Sequence, residues 1–173
     1  MPELESIDVN LSLPFGVGGI TGKWKPDQAE RQAAWEMYVE LITRISVAEL
    51  HPNEGLLREG LSSLYALFGI TRTILREHGA GVAQPKEEGQ VSFGRLAVAI
   101  LNGVLRPFLS RWHPLLSDHE NRRNPRDSQL EHEAQWDRNQ DLREDLSNVR
   151  QVLTEYAGIL ANVAGVPLLT DES

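Results

Sequence analysis

The stretch that most constrains this chain runs from Ser92 to Leu116, SFGRLAVAILNGVLRPFLSRWHPLL. Leu96, Ala97, Val98, Ala99, Ile100, Leu101, Val104, Leu105, Phe108 and Leu109 leave no narrow apolar stripe, because they occupy most of a helical circumference. A helix that is apolar all round is buried among others. The run is too short, and too often interrupted by Arg, Asn and Pro, to read as a membrane span. It therefore reads as the central helix of a helical protein. Pro107 falls inside it, removes one backbone donor and clashes one turn back, so a kink or break is expected there. His113-Pro114 is expected to bend or end the helix. Asn102 reads either as a buried polar group that sets helix register or as a partner in a simple hydrogen bond.

Other helices follow from periodicity and caps. Pro26, Asp27 and Glu30 suit the start of a helix over 26–48, with Trp35, Tyr38, Ile42 and Ile45 on its inner seam. His51-Pro52-Asn53 breaks the chain, and Asn53 is placed to cap a helix over 54–78. Leu57, Leu61, Leu64, Phe68, Leu75 and His78 form its seam, and Gly79 stops it. Ser92 caps the central helix, over 92–116. Asp127 or Ser128 caps the last, over 128–164. There Leu142, Leu146, Val149, Leu153, Tyr156, Leu160 and Val163 step 4-3-4-3-4-3, a left-handed knobs-into-holes period. Gly165 and Pro167 close it.

Residues 1–25 differ. Ile7, Val9, Leu11 and Leu13 alternate with Asp8, Asn10 and Ser12, the pattern of a strand with one buried face. The glycine-rich FGVGGITGKW follows. Such a strand finds no mate in a helix-rich chain, so it reads as an extended arm, packed across its own helices, paired with another chain or left disordered. The fold class is thus all-α: a four-helix up-down-up-down bundle over 26–166 with a long C-terminal helix, an N-terminal strand-like arm over 1–25 and a tail over 167–173.

A formal net charge of −8 and a pI near 5.1 oppose general nucleic-acid binding and adsorption to anionic membranes. With no Cys, disulfides, thiolate metal sites and Cys nucleophiles are excluded. The acidic start has no apolar signal core, so a cytoplasmic location is expected. Arg outnumbers Lys by 14 to 3, a bias that suggests a bacterial source. Gly22-Lys23 faintly resembles a phosphate loop. Val17 stands where the first glycine belongs, however, and Trp24 replaces the hydroxyl that would hold magnesium. His113, His119 and His132 with Asp118, Glu120, Glu131 and Glu133 resemble metal ligands. His113 and His119 are six residues apart across Pro114, so one helical face cannot present both, and no H-E-x-x-H occurs. No catalytic residue, cofactor or metal ligand is assigned.

The expected function is a non-enzymatic interaction or regulatory subunit acting through homo- or hetero-oligomerisation. An accessory protein of a bacterial defence or conflict operon is one setting that fits. Ile7, Val9, Leu11, Leu13, Phe15 and Trp24 on the arm, with Arg111, Trp112 and Trp136, are the candidate partner-binding residues; Trp and Arg recur at binding hot spots. The alternative is a small-ligand or metal-dependent enzyme around His113, Asp118, His119 and His132. A weaker alternative is a DNA-associated regulator using Arg122, Arg123 and Arg126.

Overall fold

The N-terminal alternation folds back on itself. In the computed structural model, which describes residues 5–44 and 55–169, strand β1 (Ile7–Leu13) pairs antiparallel with β2 (Gly18–Trp24). Phe15 and Gly16 both take left-handed backbone, φ 62° and 71°, and the Val17 N–H donates to the Pro14 carbonyl at 3.4 Å. Two positive φ values at the turn centre match the twist of the strands they join. The arm expected to lack an internal mate is therefore a hairpin, and the glycine-rich stretch supplies its turn and second strand. Val9, Leu11, Ile20 and Trp24 point inward and are buried in the same core as the helices. Val91 adds a short parallel bridge, its N–H donating to Lys23 at 2.8 Å.

The rest is mostly helical; helices make up 66% of the described residues. Helix α1 (Gln28–Ile42) opens on a capping box: Asp27 accepts from the Glu30 N–H at 2.9 Å, and Glu30 accepts from the Asp27 N–H at 3.3 Å. Its inner face is Ala33, Ala34, Met37, Tyr38 and Leu41, and it lies along the last helix. Trp35, expected on that seam, is instead 41% exposed. The expected residues 45–48 and the Asn53 cap lie outside the described residues. Helix α2 (Leu57–His78) follows the expected seam, except that Ile74 is buried and Leu75 and His78 are half-buried. A short 3-10 turn (Ala80–Ala83) leads toward the central rod.

That rod is helix α3 (Phe93–Ile100), a π-helical turn (Leu101–Leu105) and helix α4 (Arg106–Asn121) without interruption. Ser92 caps it through the Arg95 N–H. The Arg106 N–H bonds the Leu101 carbonyl, five residues back. This widened turn sits where the Pro107 ring would otherwise press on the preceding turn, so the proline is absorbed rather than breaking the helix. Pro114 is likewise carried inside α4, which runs five residues past the expected end. Asn102 is exposed and accepts from Arg106 at 3.3 Å, so it sets no buried register. At 29 residues the rod has the length and composition to cross a membrane, which removes length as a ground against a span. Half of its most apolar window is nevertheless buried in the protein.

The last helix divides. Helix α5 (Gln129–Ala134), capped by Ser128, stops at Gln135, and helix α6 (Asn139–Ala164) begins after a turn that points Trp136 inward. All seven residues of the heptad seam are buried, and Gly165 ends α6 in left-handed backbone.

Candidate functional site

Two buried carboxylates organise the polar interior. Glu30 is 1% exposed. One of its oxygens accepts from Trp24 Nε1 at 2.6 Å and the Phe93 N–H at 3.0 Å; the other accepts from Lys86 Nζ at 2.6 Å. Lys86 also reaches Asp27 at 2.9 Å. One residue thus ties the hairpin, α1, the 84–92 loop and the start of α3. Burial works to raise the Asp27 carboxyl, but the Glu30 N–H and the Lys86 ammonium outweigh it and hold the group below its usual value. Burial likewise works to lower Lys86, and its two carboxylate partners hold it above the usual value. Glu133, 6% exposed, accepts from the Leu57 N–H at 2.7 Å. Leu56 offers α2 no side-chain cap, so Glu133 caps that helix from α5. Burial pushes its carboxyl up despite the N–H groups of Leu57 and Arg58.

The histidines expected to mark a metal or catalytic site are partly brought together. The His119 and His132 rings stack at 3.8 Å. Each Nε2 donates to the other residue's carbonyl, at 2.7 and 2.6 Å, so the pair clasps α4 to α5. His119 also stacks on Trp136. His113 lies apart, its Nδ1 2.9 Å from Arg58 Nη1, and Asp118 is exposed. Among the described residues no group of three or more His, Asp or Glu is arranged to hold a metal.

Of the candidate partner-binding residues, Val9, Leu11, Trp24, Trp112 and Trp136 are buried by their own chain, and Ile7 and Leu13 are half-buried against the core. Trp112 donates to Asp145 at 2.8 Å and meets Trp136 edge-on, with Arg111 and Arg138 over its ring. These tryptophans fasten α4, α5 and α6; Trp112 is fully buried and Trp136 is 9% exposed. Phe15 and Arg111 are exposed.

An open groove carries other residues. Between α2 and α4 runs a groove of about 680 Å³, lined by Arg58, Tyr65, Phe68, Arg72, Arg106 and His113 among others. Arg106 and Arg72 stand over the Phe68 ring at 5.2 and 5.9 Å. Neither has a carboxylate within ion-pair distance among the described residues. Arg58 is held by Glu120 at 2.6 Å and by Ser117. Tyr65 is 70% exposed at the groove edge. The volume is that of an ordinary ligand cleft. The chemistry is a row of guanidinium groups beside aromatic faces, which suits carboxylates or other anions carried on an apolar frame. The sequence holds a signal for this site: Arg58, Tyr65 and Arg72 are spaced by seven and share one helix face.

The chain matches no family model, no curated protein and no solved structure.

Proposed function

We propose that this chain is a non-enzymatic interaction subunit of a bacterial cytoplasm, docking an acidic surface of a protein partner in the α2/α4 groove. The observation that carries this reading is the pair Arg72 and Arg106. Both stand over Phe68 without a carboxylate partner among the described residues, in a protein whose net charge is −8. Among the described residues the only arginines in ion pairs are Arg44, Arg58 and Arg111, so what sets Arg72 and Arg106 apart is their place in an open groove. Beside an exposed Tyr and a buried Phe they resemble the composition of binding hot spots. The bundle supplies a rigid frame. We infer an up-down-up-down order for α1, α2, the α3–α4 rod and α6, supported by α1 packing on both α6 and α2 and by α2 packing on α4.

The test is fluorescence anisotropy with a labelled peptide of alternating Glu and Phe, and a Lys–Phe peptide as control. The Glu–Phe peptide binds, and Arg72→Glu with Arg106→Glu weakens it by at least about tenfold, or ~1.4 kcal/mol. Equal binding of both peptides, or no effect of the double substitution, overturns the reading.

A further inference from the structure

A second groove flanks α2 on its other side, between α1 and α2. It measures about 610 Å³ and is lined by Trp35, Glu36, Glu40, Ile70 and Glu77, with no basic residue in its lining. Glu36 meets His78 Nε2 at 3.1 Å and Glu40 meets Arg44 at 2.9 Å; no ion pair engages Glu77 among the described residues. Trp35 lies open on this flank as Tyr65 does on the other. The exposed ridge of α2 between the grooves carries the small residues Ser62, Ala66, Gly69 and Thr73, with Arg76 next on the same face in the last turn of the helix. One helix therefore has an arginine groove on one flank and a glutamate groove on the other, each with one exposed aromatic.

Resting on the reading above, we infer that the acidic partner is a second copy of this chain, bound through a two-fold axis that runs along the α2 ridge. The geometry selects that axis. Rotation by half a turn about a line parallel to α2 carries each groove across to the opposite one, so both arginine grooves face glutamate grooves and the two α2 helices run parallel. Rotation about a line across α2 would set arginines against arginines and glutamates against glutamates. Closed two-fold contacts are self-complementary in this way. In the assembled pair, the flank that carries Trp35 in each copy meets the arginine groove of the other, where a ring face attracts a guanidinium and the groove charges meet opposite charges.

Sedimentation and light scattering on the full chain test this. Wild type should show twice the 19.4 kDa chain mass at low salt and a falling mass as salt rises through about 0.5 M, where the screening length drops to a few ångström. Arg72→Glu with Arg106→Glu, and separately Glu40→Arg with Glu77→Arg, should each be monomeric while keeping wild-type circular dichroism. Arg72→Gln with Arg106→Gln provides a milder version if the reversal disturbs folding. Mixing the two reversed variants should restore the doubled mass, because every facing pair is again opposite in sign. A wild type that stays monomeric, a doubled mass that both variants retain, or a mixture that stays monomeric overturns the inference. The Glu–Phe peptide separates the two readings. If it still binds in an arginine-dependent way, the interaction reading stands and only the second copy as occupant is lost; if it does not, both are lost.

Discussion

Replacing Glu30 by Gln removes a charge but little volume, and the structure predicts a large effect. The carboxylate accepts from four donors: Trp24 Nε1 and the Phe93 N–H on one oxygen, Lys86 Nζ and the Asp27 N–H on the other. An amide has one oxygen. Whichever way it is turned, its NH₂ faces two donors that then lack an acceptor. Each buried group left unsatisfied costs about 1–3 kcal/mol. Lys86 is 28% exposed and keeps Asp27, so water recovers part of its loss. The expected loss is therefore about 3 kcal/mol, toward the lower end for breaking a buried ion pair. Urea unfolding reads it as a lower midpoint at unchanged slope. A cycle with Lys86→Met should show coupling of about 1–2 kcal/mol. A loss under about 1 kcal/mol would refute the claim that this carboxylate joins the hairpin to the helices. The pH window follows from signs. Lys86 sits above its usual 10.5, so its contribution is present below that value and is lost as pH rises through the folded one. Asp27 sits below its usual 3.8, so its contribution is present above that value and is lost as pH falls through the folded one.

Three further substitutions test separate parts of the account. The Tyr156 hydroxyl is buried without a partner among the described residues, and burial pushes its ionisation up, so Tyr156→Phe should raise the urea midpoint by up to about 1 kcal/mol of stability; a clear loss would show that the hydroxyl is bonded. Glu133 sits above its usual 4.5, so its charged form weighs against folding as pH rises through the folded value. Glu133→Gln, which keeps an acceptor for Leu57, should gain on wild type between pH 4 and pH 7, and a constant difference across that range would contradict the assignment. Phe15, 43% exposed, holds a left-handed backbone that Asn tolerates better. Phe15→Asn should stabilise the chain by about 1 kcal/mol in the same assay, whereas unchanged or lower stability would mean the turn is unstrained.

Much of the helical frame was legible because its signals are local. The caps at Ser92 and Ser128 sit where side-chain oxygens precede helical periodicity, and the heptad from Leu142 to Val163 states its buried face outright, whereas Pro26, expected in the first turn of α1, lies before its Asp27 cap. The hairpin is not legible in the sequence because β2 is rich in glycine, which strands disfavour, although Ile20, Gly22 and Trp24 keep the period of two. The break before α6 has no Gly or Pro to announce it; it forms because Trp136 turns in to meet His119 and Trp112, a contact fixed only by tertiary packing. The same limit applies to the groove. Arg72 and Arg106 lie on different helices, and only the packing of α2 on α4 sets both over one phenylalanine.

Amide chemical-shift mapping shows residue by residue whether this groove is the binding surface. On titration of nitrogen-15-labelled protein, held at a dilution where it is monomeric, with the Glu–Phe peptide, the account predicts shifts centred on Tyr65, Phe68, Arg72, Arg106 and Ser110, with Trp24 and Trp112 indole signals unmoved. Shifts centred on the hairpin or on the His119–His132 clasp, with the groove signals still, would contradict it.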